Sequence, residues 1–277
     1  MIGICARLWT RFERAVLTGI RGRATILLVL SPSPTPPLTS RSDVDTQLAS
    51  AGFVVLDAAT LRAEVGVPEG TFEAWSPHWD DLGADDYLRD DGDYRRRRHG
   101  AFIVDGGAVA AEAHRPHWQP LDYNALHGGI ERWFEPLPEG LAADAAWHGL
   151  IRALSARAET MRAGSGPWYV ETHPFRIDAS SGIGRPTPEG AHRDGVDLVA
   201  VILVDRENIK GGETRVFDIR GPHGMRFTMN EPWSALLLDD ERVIHESTPI
   251  QPLEAGAPAH RDTLVVTLRR GGFQGPA

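Results

Sequence analysis

Cysteine is almost missing from this 277-residue chain, with Cys5 the sole example. An intramolecular disulfide and cysteine-based zinc or iron–sulfur sites are thereby excluded, and a reducing, cytoplasmic setting is expected. Lysine is equally scarce: Lys210 is the only one. Apolar runs are short, and none reaches the roughly 20 residues that a membrane-spanning helix needs. Positive charge is in deficit overall. The net charge is −9, yet residues 1–41 hold Arg7, Arg11, Arg14, Arg21, Arg23 and Arg41 against Glu13 alone, about +5, which leaves −14 for the rest. So acidic a body argues against nucleic acid as a partner, and no membrane partner is expected either.

The basic start differs in kind from the acidic body. Residues 24–30 are apolar and invite a signal-peptide reading, but Ser31-Pro32-Ser33-Pro34-Thr35-Pro36-Pro37 offers no clear small-residue cleavage site. The expectation for residues 1–41 is a disordered extension, or sequence upstream of the true start, with a weak export signal as the alternative. Residues 42–277 are expected to form one domain, since a chain of 42% hydrophobic content has ample core material.

Periodicity places the elements. Residues 196–204 are a continuous β-branched apolar run, as in a strand buried on both faces. Further strands are expected at 52–56, 168–177, 214–219, 235–238, 242–245 and 262–269, with a hairpin at Gly106-Gly107. Trp147, Leu150, Ile151, Leu154, Ala158 and Met161 fall at helical spacing, so a helix over about 142–163 should pack outside the sheet, and residues 42–50 suit a short helix. Short strands separated by turns indicate an antiparallel sandwich or barrel. Arg95 to Arg98 lie near Asp90, Asp91 and Asp93 and read as a solvated or internally paired face.

His192-Arg193-Asp194 carries the chemistry. On a strand, residues i and i+2 share a face, so His192 and Asp194 can point together, and His245 from a distant strand can complete two imidazoles and a carboxylate. That set is the facial triad of non-haem Fe(II) oxygenases, with coordination positions left open. Arg261 adds a forked cation suited to a carboxylate, with Thr263 on its face. His223 competes as third ligand but sits in a Gly-Pro-His-Gly turn. His114 and His117 form His-x-x-His, which lacks evident acidic partners and is expected to be hydrogen-bonded or superficial. A protein-kinase reading of His-Arg-Asp fails because Lys210 comes after the motif instead of preceding it, and no Gly-x-Gly-x-x-Gly loop or Asp-Phe-Gly accompanies it.

With those residues in hand, the chain resembles the bacterial 2-oxoglutarate/Fe(II) dioxygenases that include isoleucine dioxygenase and related free amino acid hydroxylases. The matching stretches include Tyr94-Arg95-Arg96-Arg97-Arg98, Asp122-Tyr123-Asn124, Gly128-Gly129-Ile130-Glu131-Arg132-Trp133-Phe134-Glu135-Pro136-Leu137 and Glu171-Thr172-His173-Pro174-Phe175-Arg176-Ile177. The densest is Pro186-Thr187-Pro188-Glu189-Gly190-Ala191-His192-Arg193-Asp194-Gly195, continued by Asn208-Ile209-Lys210-Gly211-Gly212-Glu213-Thr214, His245-Glu246-Ser247-Thr248-Pro249-Ile250 and Arg261-Asp262-Thr263-Leu264. Coverage runs over roughly residues 50–270. The resemblance implies a mainly β fold with flanking helices, a double-stranded β-helix of jelly-roll, cupin-like form. It implies Fe(II) at His192, Asp194 and His245, and 2-oxoglutarate with its distal carboxylate on Arg261 and Thr263. O2 would be the second cosubstrate, and hydroxylation of a small molecule, a free L-amino acid, would release succinate and CO2. Arg261-x-Thr263 stands where Arg-x-Ser is more usual, and the gap from His245 to Arg261 is long. Asp194 argues against a halogenase, which lacks that carboxylate. Arg176, Glu171, His173, Arg132 and Asn124 are candidate substrate contacts, although strand alternation sets Glu171 and His173 on one face and Arg176 on the other. Two alternatives stay open: a dioxygenase of this fold acting on a protein side chain, and a non-catalytic metal-binding β-helix protein.

Overall fold

The computed structural model describes residues 14–17, 26–33, 35–89, 92–124, 126–164 and 166–276. The β-branched runs pair into a large sheet whose neighbours, in order, are Phe53–Leu56, Ala235–Asp239, Leu198–Glu207, His260–Arg270, Trp168–Asp178, Gly100–Asp105 and Ala108–Ala111. Arg95–Arg97 also pairs with Trp168–Asp178. A second sheet runs Arg14–Leu17, Ile26–Pro32, His223–Phe227, Thr214–Asp218, Val243–Ser247. Ile250–Pro252 and Ile209–Gly211 form a small ribbon. The fold is mainly β with flanking helices, a double-stranded β-helix.

Alternation divides the work of each central strand between its two faces. Leu264, Val266 and Leu268 join Ala200, Ile202 and the helical Trp147, Leu150, Ile151, Leu154 and Ala158 in one buried cluster. Fully burying a large apolar side chain contributes about 1.5–3 kcal/mol, so this face fixes the helix layer on the sheet. The opposite face carries Arg261, Thr263, Val265 and Thr267, all of which line a cavity. A second cluster, with Val199, Leu203 and Leu236 from the large sheet and Val216, Phe227 and Val243 from the smaller one, closes the space between the sheets. The indole N–H of Trp79 donates to the carbonyls of both Phe175 and Thr263 at 3.1 Å, pinning the two longest strands together beside that cavity. A register shift against Leu198–Glu207 falls between Asp262 and Thr263; such bulges commonly re-aim side chains next to functional sites.

The helix expected over 142–163 is two pieces, Glu139–Ala142 and Ala145–Arg162, because Asp144 accepts from the Trp147 N–H at 2.8 Å and starts the second as an N-cap. Within the stretch 1–41, Arg14–Leu17 pairs with Ile26–Pro32, and Ile26–Pro32 runs parallel to His223–Phe227, with Leu30 packed against Phe217. To that extent the stretch is structured; residues 1–13 and 18–25 lie outside the described residues. Among the described residues no helix is long and apolar enough to cross a membrane.

Candidate active site

His192 and His245 face each other through reciprocal backbone hydrogen bonds, His192 N to His245 O at 3.0 Å and His245 N to His192 O at 2.9 Å. This single bridge corrects the expectation that His192 and Asp194 share a strand: His245 lies in Val243–Ser247, but His192 and Asp194 belong to a loop. The loop is held from beneath instead. The buried Asp240 carboxylate accepts from the backbone N–H of Asp194, Gly195 and Val196 at 3.0, 2.8 and 3.1 Å. Burial, with the Asp194 carboxylate nearby, pushes Asp240 up to about 7. Gly195 has φ +77°, and a Cβ there would lie 2.5 Å from the Tyr123 ring, so no side chain fits this turn.

The three side chains converge. Asp194 Oδ1 lies 3.8 Å from His192 Nε2, and Oδ2 lies 3.8 Å from His245 Nε2. That spacing leaves room for an ion bound at roughly 2.0–2.2 Å. His192 Nδ1 sits 3.0 Å from the Gly190 carbonyl, so its N–H donates there and Nε2 is left bare for a ligand bond. Burial, and then His192, hold His245 well below the usual imidazole range, in the neutral form that metals require. Burial pushes the Asp194 carboxyl up. A buried carboxylate between two imidazoles is a costly set by itself, and a divalent cation could complete it.

Arg261 and Thr263 line the same cavity and are 3% exposed each. Arg261 Nε and Nη2 are buried with no hydrogen-bond partner. Burial, reinforced by Arg206, lowers this guanidinium to about 10. Two orphaned N–H groups in a fork are a fit for a carboxylate.

His117, expected to lack acidic partners, is corrected: it is buried with Nδ1 3.3 Å from Glu171 Oε2, and His99 Nε2 is 2.9 Å from Glu171 Oε1. His99, His117, Glu171 and His173 form a second group whose ligand atoms lie within 4.8 Å of one another. The missing signal is sequence distance, because Glu171 comes from Trp168–Asp178 and His99 from the loop before Gly100–Asp105. Burial lowers His117 to about 4. A third group, Asp205, Glu207 and His260, is half-buried apart from the exposed Glu207.

A family model described as 2OG-Fe dioxygenase matches residues 76–267, which include all of these groups. The chain belongs to the 2OG-Fe dioxygenase family. It is thus an enzyme family that works with Fe(II) and 2-oxoglutarate. The dioxygenase is similar to the solved structure of a bsmA homolog from Methylobium petroleophilum PM1, at 51% identity, TM-score 0.83, and coverage of 88% of this chain and 98% of that one. IDO from Bacillus thuringiensis shares the fold at TM-score 0.68 but only 17% identity, over 84% of this chain and 97% of that one. The dioxygenase TqaL does so at TM-score 0.60 and 19%, over 83% and 87%. No curated protein matches. The resemblance to isoleucine dioxygenase is therefore distant, and the family is the broader statement.

In the dioxygenase, the expected substrate contacts separate. His173, Arg132 and Asn124 line the cavity. Glu171 lies behind it, engaged by His99 and His117. Arg176 faces the other way, bidentate to Asp262 at 2.9 and 2.7 Å and 3.1 Å from Asp80. Sequence reasoning missed Arg95, Arg97, Gln119 and Glu189, which also line the cavity. For the arginines the signal was present: in a run of four consecutive arginines that forms a strand over Arg95–Arg97, alternate ones must turn inward. Arg95 and Arg97 are buried, with the Asp85 carboxylate 2.6 Å from Arg95 Nε and 3.8 Å from Arg97 Nη1, so only Arg96 and Arg98 form the outer face.

Proposed function

We propose that the dioxygenase hydroxylates an unactivated carbon of a small molecule, a free L-amino acid, with release of succinate and CO2. His192, Asp194 and His245 would hold Fe(II), while Arg261 and Thr263 take the distal carboxylate of 2-oxoglutarate. The observation that carries this reading is the pair of orphaned Arg261 N–H groups in the cavity that the three ligand side chains line. When bound, the iron with its cosubstrates supplies the oxidising chemistry. The chain's own part is to place and to exclude. Gly190 fixes the His192 tautomer, Gln119 fixes Asp194, and Phe175, Ile177, Val201 and Val265 present apolar surface that keeps water from the reacting carbon. Glu189 and Arg132 on the same wall offer the opposite charges that an ammonium and a carboxylate need. A walled cavity supports a small molecule over a protein side chain. A reducing, cytoplasmic location fits the lone cysteine.

The His99–His117–Glu171–His173 group is the less suitable iron site. Its Glu171 already serves two imidazoles and stands 3.5 Å from Arg115, and Arg97 Nη2 donates to His173 Nδ1 at 2.7 Å. A cation there would face two guanidiniums at close range. Titration of the metal-free protein with Co(II) separates the two sites. His192→Ala, Asp194→Ala and His245→Ala should lose tight binding and substrate-coupled succinate release, while His99→Ala should keep tight binding. The reverse pattern would move the iron to the second group. Arg261→Ala should raise the KM for 2-oxoglutarate about 30-fold or more, since truncating such a buried pair costs roughly 2–5 kcal/mol. Arg261→Lys should recover only part, and Thr263→Val should cost about 1–2 kcal/mol. An unchanged KM in Arg261→Ala would place the anchor elsewhere.

A further inference from the structure

The cavity wall built from residues 95–132 holds more positive charge than the chain neutralises. Arg95, Arg97 and Arg132 are all buried there. One carboxylate, Asp85, serves the first two, at 2.6 Å from Arg95 and 3.8 Å from Arg97. Arg132 donates from Nη2 to the neutral Gln119 at 2.8 Å. Arg95 Nη2, Arg97 Nε and Arg132 Nε are buried donors with no hydrogen-bond partner. Arg97 is also clamped between rings, 3.8 Å from the Phe134 centroid and 4.2 Å from that of Phe175, so its plane cannot swing away to find one.

The acids do not balance this charge. Asp194 and Arg261 are committed to metal and cosubstrate in the proposed function. Glu171 is turned to His99, His117 and Arg115. Glu189 remains, with Oε2 buried and unpartnered and Oε1 3.5 Å from His192 Nδ1. Three guanidiniums thus face Asp85 and Glu189. The cavity-lining His117 and His173 are held by burial below the usual imidazole range, so neither adds a positive charge of its own. A zwitterionic amino acid with a neutral side chain brings no net charge and would leave one buried guanidinium unmatched, which is unfavourable.

Resting on the amino-acid reading of this site, we propose that the substrate carries net negative charge: an amino acid with a second acid group. Its ammonium meets Glu189, and its two acid groups meet the unpartnered N–H groups of Arg97 and Arg132. This makes Glu189, Arg97 and Arg132 the residues that determine specificity.

The isosteric pair L-glutamate and L-glutamine isolates the charge, with L-aspartate, L-cysteate and L-leucine as further probes. Binding is measured by calorimetry on the full chain, with Co(II) in place of Fe(II) and saturating 2-oxoglutarate, so that no dicarboxylate can occupy the cosubstrate end. At least one acidic amino acid should bind ten-fold or more tighter than its neutral isostere and than L-leucine. Arg132→Gln should erase that preference when it is read at Co(II) and 2-oxoglutarate concentrations that saturate the variant. Should Arg132→Gln fail to fold, Glu189→Gln is the second variant, and it should remove the advantage of L-glutamate over glutarate, which has no ammonium. Equal or tighter binding of the neutral amino acids overturns the charge assignment and leaves the amino-acid reading standing. Absence of succinate release with every amino acid of either class, from enzyme that binds metal and 2-oxoglutarate, overturns the amino-acid reading and the assignment with it.

Discussion

Gln119 carries no charge, yet three polar groups converge on it. Asn124 Nδ2 and Arg132 Nη2 donate to its oxygen at 3.0 and 2.8 Å, and its own amide donates to Asp194 Oδ1 at 3.0 Å. Because Arg132 can only donate, the orientation of the amide is forced, and it delivers N–H to the carboxylate. Outer partners of this kind typically carry 10–100-fold in metal affinity. Gln119→Ala should therefore weaken Co(II) binding about ten-fold, and Gln119→Glu more, since it sets a second carboxylate against Asp194. Equal affinity in both variants, read by titration, would show that the amide does not steer the ligand. At this scale the convergence of His192, Asp194, His245 and Arg261 on one cavity could be anticipated because short motifs contain them. Gln119 and Asp240 were not, since each meets Asp194 from dozens of residues away and neither stands in a pattern that spacing can reveal.

Among the elements, Ala145–Arg162 is tied down at both ends. Asp144 caps its start. At its finish Arg162 reaches Asp197 Oδ1 at 3.1 Å, just before the strand Leu198–Glu207, and Asp239 Oδ1 at 2.6 Å, at the end of the neighbouring strand. Asp144→Ala should lower stability by about 1 kcal/mol. Arg162→Met should cost more, about 3 kcal/mol, because it strands two nearly buried carboxylates, although Arg270 still holds Asp197 at 2.8 Å. Urea unfolding of both variants orders them, and a larger loss in Asp144→Ala would reverse the assignment. The strands were legible from their β-branched runs to within a few residues: 262–269 is His260–Arg270, and 242–245 is Val243–Ser247. The loop holding His192 and Asp194 was misplaced on a strand because a single bridge to His245 imitates the same spacing.

For the whole molecule, the domain boundary at residue 42 is a proposal with a direct measurement. The chain without residues 1–41 should stay soluble and active, with a Tm lower by a few degrees, since Phe217 loses the cover of Leu30. An aggregated or inactive product would make the strand at Ile26–Pro32 part of the domain proper. The mainly β architecture was readable because strand periodicity survives in each segment. The sharing of one cavity by the 95–132 segment and the late strands was not, since it depends on how Trp168–Asp178 brings them side by side.

That sharing has an evolutionary consequence. The three candidate metal ligands, with Arg261 and Thr263, all come from residues 192–263, whereas Arg95, Arg97, His117, Gln119, Asn124 and Arg132 come from a stretch that ends well before them. On the proposed reading, mutations at Arg95 and Arg97 would retune what is oxidised while the metal end stays intact, whereas Gln119, which holds Asp194, ties the same stretch to that end. Grafting residues 84–137 together with the residue at position 189 from a relative with another preference should carry that preference across.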